Sequence, residues 1–172
     1  MSAITESGVA DDALLKTHRG GSHPERWGHY ADCFAVRVDR SISLGTFVLA
    51  FYTTPLFRSE RVILRLLARA PSTDQQIRAL AEGHGSALAV WTVAARSMDQ
   101  LLLGDRYGKT RSWFRVVPQA SGGTVLQFGS AVAATRSEAG TPEMGGRFRA
   151  LLWFHRRYSR ALLAAAARQL GG

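Results

Sequence analysis

Between Tyr30 and Asp39 the residues Phe34, Val36 and Val38 alternate with Cys33, Ala35 and Arg37, which predicts a half-buried first strand. The period then becomes helical. Ser41 or Ser43 can cap a segment in which Leu44, Phe47, Val48 and Phe51 share one face. Pro55 breaks or kinks it, so Thr53-Thr54-Pro55 is read as a joint. A second helical run follows, with Leu56, Val62, Ile63, Leu66 and Leu67 inward and Arg58, Arg61, Arg65 and Arg69 outward, ending at Pro71. Ser72-Thr73-Asp74-Gln75 opens a short helix through Ala81, with Gln75 or Gln76 placed as a capping-box partner, and Gly83 and Gly85 close it.

From Ser86 to Thr135 the alternation returns. Trp91, Val93 and Ala95 alternate with Val90, Thr92 and Ala94 in one strand, and Leu101 to Leu103 lie in the next. Asp105 to Lys109 has the composition of a hairpin turn, with Gly108 free to take positive φ. Thr110 to Val117 form a third strand ended by Pro118, and after the turn at Ser121-Gly122-Gly123 a fourth runs from Val125 to Ala133. A long amphipathic helix closes the chain. Phe148, Leu151, Leu152, His155, Leu162, Ala166 and Leu170 recur near a 3.6-residue period, flanked by Arg147, Arg149, Arg156, Arg157, Arg160 and Arg168, and Gly171-Gly172 stop it. The order strand, helices, four antiparallel strands, long helix predicts an α+β fold in which a curved antiparallel sheet wraps the C-terminal helix. Cystatin-like and nuclear-transport-factor-like folds place helices first and strands last, so they fit less well. Residues 1–26, rich in small and polar side chains, are read as a flexible tail, and 27–172 as one domain.

The length and the 46% hydrophobic content suit one domain with a core of its own. Twenty-two basic residues against 13 acidic give a net charge of +9, which favours anionic partners in general. The basic residues are scattered rather than clustered, so a solvated arginine-rich surface is the leading reading and a nucleic-acid partner ranks last. The lone Cys33 excludes an internal disulfide and a cysteine metal cluster and is read as a small core residue. No signal peptide is visible, and the most apolar window, Ile42 to Phe57, is too short and too interrupted to span a membrane; a soluble, cytoplasmic protein is expected.

Three blocks carry a resemblance: Tyr30-Ala31-Asp32-Cys33-Phe34, the run from Phe51 to Arg61 (FYTTPLFRSER), and Asp99 through Trp113. They resemble a bacterial domain family of unknown function within the START-like, or SRPBCC, superfamily. The resemblance implies a helix-grip fold over residues 27–172 with a cavity between the sheet and the C-terminal helix. In that superfamily the cavity holds lipids, sterols, polyketides or other apolar molecules, and some members are cyclases or aromatases. It transfers no catalytic residue and implies no cofactor.

The chemistry-bearing motifs are few. The five histidines, His18, His23, His29, His84 and His155, show no metal-site spacing with carboxylates, so no metal is expected. There is no phosphate-binding GxxxxGK[ST]; Gly83-His84-Gly85 lacks the third glycine of a dinucleotide turn, and Ser130 lies inside a strand pattern rather than in a nucleophile elbow. In the sheet, Arg96, Asp99, Asp105 and Arg111, with Ser112 and Arg115, read first as surface ion pairs. One Asp–Arg pair could instead sit at a cavity mouth; the turn register leaves their face open. The candidate cavity lining is Trp91, Val93, Leu101, Leu103, Phe114, Phe128, Leu151 and His155. His155 is the sharpest of these, a titratable group on an apolar stripe. The function expected is binding of an apolar small molecule or lipid in that cavity. The alternative is a cyclase- or aromatase-type enzyme using His155, Asp99, Asp105 and Arg111; oligomeric state is left open.

Overall fold

The computed structural model describes residues 3–18, 30–58, 73–133 and 146–171, with side chains in the last segment given from Trp153 onward except Phe154. The elements are β1 (Thr5–Glu6), α1 (Leu14–Thr17), β2 (Ala31–Val38), α2 (Leu44–Thr53), α3 (Asp74–Ala81), β3 (Ala87–Leu88), β4 (Trp91–Arg96), β5 (Gln100–Asp105), β6 (Thr110–Pro118), β7 (Thr124–Val132) and α4 (Gly146–Gln169). The fold is α+β, with a seven-stranded, curved antiparallel sheet ordered β1-β2-β7-β6-β5-β4-β3 and a C-terminal helix. The expected second helical run is helical over residues 55–58; from residue 59 to Pro71 it lies outside the described residues. No described helix is long and apolar enough to cross a membrane.

Local chemistry sets the helix ends. The Ser43 hydroxyl accepts from the Thr46 N–H at 3.1 Å and caps α2. At the Thr53-Thr54-Pro55 joint the buried Thr54 hydroxyl donates to the Phe51 carbonyl at 2.9 Å and accepts from the Phe57 N–H at 3.2 Å. One side chain thereby ends α2 and caps the turn after it. Thr73 and Gln76 form the reciprocal capping box of α3. Gly171 takes φ of +82° where α4 stops, a conformation that side chains disfavour.

The two faces of the sheet bury different partners. The inner face carries Phe34, Val36, Val38, Leu101, Leu103, Phe114, Val116, Leu126 and Phe128. Against it pack Phe47, Val48 and Phe51 of α2, Ile77 and Leu80 of α3, and Leu162, Leu163, Ala166 and Ala167 of α4. The outer face carries Cys33, Leu102, Trp113 and Ala131, and these are covered by Ala13 and Leu15.

That cover corrects the reading of residues 1–26 as a flexible tail: residues 3–18 are structured. Thr5 and Glu6 pair with Ala35 and Phe34, extending the sheet by one short strand. Trp113 and Leu102 would otherwise leave a large apolar patch in water, and α1 lies over them. Gly129 makes room: a Cβ there would meet the Trp113 ring at 3.0 Å and the Leu15 side chain at 3.3 Å. Gln100 fastens the layer, its Oε1 accepting from the Trp113 indole N–H at 2.8 Å and from the Leu14 N–H at 2.9 Å. Replacing Gln100 with leucine strands the buried indole N–H and is expected to cost about 1–3 kcal/mol. Chemical denaturation measures it, with faster amide exchange at Leu14; an unchanged midpoint would show that α1 is held by apolar contact alone.

Candidate functional site

Asp32 and Ser130 occupy the inner phase of their strands, in line with Phe34 on β2 and Phe128 on β7, and the register sets them directly opposite. Both are buried. A buried carboxylate must be paired or hydrogen-bonded, and this one takes three donors. The Ser130 N–H and hydroxyl reach Asp32 Oδ1 at 3.0 and 2.6 Å, and the Tyr30 hydroxyl reaches Oδ2 at 2.9 Å. From α4, His155 Nε2 stands 2.7 Å from Ser130 Oγ. The single serine proton is donated to Asp32 Oδ1, so the hydrogen between Ser130 and His155 belongs to His155 Nε2. The chain of donation runs from imidazole to serine to aspartate.

The electrostatics follow from burial. Desolvation pulls His155 below the usual histidine range, and the Asp32 charge opposes it. Burial likewise pushes the Tyr30 phenol up, reinforced by the neighbouring Asp32. The neutral imidazole is therefore the favoured form, in keeping with its donor role. The set differs from a hydrolase triad, in which histidine takes the serine proton and aspartate holds the histidine. Here serine is the middle member, 1% exposed, and gives its proton to the carboxylate. The arrangement can hold or relay a proton; it does not present a nucleophile.

Tyr30 links this buried network to the surface. Its ring joins Phe34, Trp153, Glu6 and three arginines, Arg156, Arg157 and Arg160, around a cleft of about 300 Å³ between β2 and α4. Trp153 is 59% exposed, unusual for so large an apolar side chain. The Arg157 guanidinium lies 4.5 Å from the centre of the Trp153 ring, and that of Arg160 lies 6.0 Å from the Phe34 ring. Arg156 pairs with Glu6. A second cleft, about 330 Å³, separates α2 from α3 along Thr46, Leu49, Arg78 and Glu82, but among the described residues no buried polar network backs it.

The structure places the cavity candidates on one face. Leu101, Leu103, Phe114 and Phe128 are buried in the inner core, with Trp91 and Val93 half-buried against it. Over Phe114 and Phe128 the rings of α2 lie in direct contact. The Leu151 side chain lies outside the described residues.

The polar candidates are not brought together. Arg96 donates to the Leu80 carbonyl at the end of α3 at 2.5 Å. Asp99 accepts from Ser97 and from Arg115, which also forks onto Asp12 on the outer face. Asp105 organises its own hairpin, accepting from the Tyr107, Lys109 and Thr110 backbone. Arg111 is buried on the opposite phase and donates to the His18 carbonyl at 3.0 Å. Of the titratable candidates, His155 alone joins the buried network. Tyr30, Asp32 and Ser130 are not among the site residues that the sequence suggests, although a polar residue on an otherwise apolar phase is the available signal. Among the described residues no cluster of three or more His, Cys, Asp or Glu could hold a metal ion. No protein-family model matches the chain, and no curated protein matches it.

Proposed function

We propose that this chain is a START-like, helix-grip protein that binds a small, largely apolar molecule against its C-terminal helix. The observation that carries the reading is the cleft between β2 and α4, where Tyr30 and the exposed Trp153 supply aromatic surface directly beside a satisfied buried polar network, with the buried Phe34 ring beneath. Ligand sites are concave, mostly apolar and furnished with a few fixed polar groups. The element order and the sheet with its terminal helix are compatible with the helix grip, which makes the region between them the natural place for a ligand. No cofactor enters the proposal, and the expected location is the cytoplasm.

Native mass spectrometry of the purified protein, followed by denaturing extraction, tests it. A co-purifying apolar molecule is expected, with its occupancy reduced in Trp153→Ala. An empty protein that also fails to bind fatty acids, sterols and aromatic polyketides in titration would overturn the reading.

The proton-holding network favours a second reading, in which the bound molecule is also transformed, in the manner of a cyclase or aromatase. Tyr30 is then the residue of interest, since its ring lines the cleft and its hydroxyl belongs to the network. Tyr30→Phe would retain binding and lose turnover; equal turnover by both forms would remove the enzymatic reading.

A further inference from the structure

The charge around the cleft is one-sided. Three guanidinium groups face one carboxylate, an excess of two positive charges, and that carboxylate, Glu6, is taken by Arg156. Among the described residues no carboxylate pairs with Arg157 or Arg160, both of which are exposed. On α4 the positions Trp153, Arg156, Arg157 and Arg160 follow the i, i+3, i+4, i+7 spacing, so they form a single stripe. It is a different stripe from Ser159, Leu162, Leu163 and Ala166, which face the core. The helix therefore presents an arginine–tryptophan face to the cleft.

The stacking matters as much as the charge. A guanidinium over an aromatic ring spends its flat face on the ring and keeps its in-plane N–H groups for a planar acceptor. Arg157 lies over Trp153 at cation–π distance, and Arg160 lies over Phe34 at longer range. The Arg157 head is thereby kept beside apolar surface, which lowers the entropy lost on gripping an anion. Carboxylate and phosphate are the groups this fork geometry fits.

We infer that the ligand of this cleft is a small amphipathic anion, an apolar body bearing one carboxylate or phosphate, with its acid group received by Arg157 and Arg160 and its body laid along Tyr30 and Trp153. The inference rests on the proposed binding function and narrows its ligand class. It gives the basic character of this surface a local role: selection of acids over neutral molecules of the same shape.

Isothermal titration with 2-naphthoate and its neutral methyl ester separates charge from shape. The acid is expected to bind at least tenfold more tightly than the ester at low salt, with the difference shrinking as ionic strength rises. Arg157→Gln combined with Arg160→Gln is expected to weaken binding of the acid and bring the two within about twofold of each other. Both positions are exposed, and a thermal melt matching wild type confirms that the double variant is folded. Equal binding of acid and ester by the wild type, or an acid preference that survives in the double variant, would overturn the anion inference while the binding function stands. Binding of neither compound, without arginine-dependent sedimentation on anionic vesicles, would overturn the anion inference, and the binding function is then decided by the fatty acid, sterol and polyketide titrations. Sedimentation with phosphatidylcholine vesicles containing phosphatidylglycerol distinguishes the source of the acid. Arginine-dependent sedimentation without naphthoate binding would replace the soluble anion with a bilayer headgroup.

Discussion

Phe114→Ala is expected to lower the stability of the protein by about 3–5 kcal/mol, the range for deleting a buried aromatic ring. Phe114 is fully buried, and its ring is met by those of Phe47 at 5.6 Å, Phe51 at 4.9 Å, Tyr52 at 5.6 Å and Phe128 at 5.1 Å, centre to centre. It is the residue at which β6, β7 and α2 converge. Edge-to-face pairs contribute beyond the area they bury, and four neighbours cannot all relax into the space left by one ring. A loss of this size is a large share of the roughly 5–15 kcal/mol that stabilises an ordinary domain. Urea denaturation reads it directly, and Phe114→Leu, which retains most of the volume, should cost clearly less. A loss below about 1 kcal/mol for the alanine variant would mean that α2 does not seal this part of the inner face.

Asp32→Ala should rank next, at about 3 kcal/mol or more. It removes the shared acceptor of the Ser130 N–H, the Ser130 hydroxyl and the Tyr30 hydroxyl, and two of those donors have no route to water. Asp32→Asn leaves one oxygen acceptor and should cost less. The same network sets a pH dependence. Burial holds His155 below the unfolded value near 6.5. The folded protein therefore keeps His155 neutral at pH values where the unfolded chain protonates it. The corresponding stability is fully present above about pH 6.5 and is lost as the pH falls toward the folded value. His18, lowered by burial and by Arg111, acts in the same direction. Melting temperatures between pH 7.5 and 5 should thus fall in the wild type and fall less in His155→Gln. Equal slopes in the two proteins would assign the acid sensitivity elsewhere.

Long elements were legible in the sequence because one physical signal dominated each. Phe34, Val36 and Val38 gave β2 its phase, Ser41 or Ser43 before Leu44 marked the start of α2, and Ser72-Thr73 with Gln75 or Gln76 announced α3; the structure selects Ser43 for the first cap and Thr73 with Gln76 for the second. Gly171 ended α4 as its position suggested. Two-residue strands carry no period, so β1 and β3 were invisible, and α1 is a single turn whose buried side is defined only by a distant Trp113. The candidate site was legible in one member. His155 stood out because a titratable ring interrupts an apolar helix stripe. Asp32 and Ser130 interrupt apolar strand phases in the same way, but only the β2–β7 register makes them neighbours. The fate of Asp105 and Arg111 depended on the hairpin: Gly104 pairs with Arg111, which sends the two side chains to opposite faces. The arginines of α4 looked like a solvated flank until β2 supplied the other wall of the cleft.

The two-residue strands that escaped the sequence reading have a further consequence for how this protein behaves when crowded. The long, apolar strands β2, β6 and β7 lie inside the sheet, whereas its ends are β1 and β3, and β4 beside β3 is broken by a bulge between Val93 and Ala95. Fibril growth needs a long, regular, exposed edge onto which a second chain can add its own strand. These ends offer little regular template, so the fold carries at its margins a safeguard against self-templated aggregation, with β6 and β7 paired on both sides and β2 capped by β1 at Phe34 and Ala35.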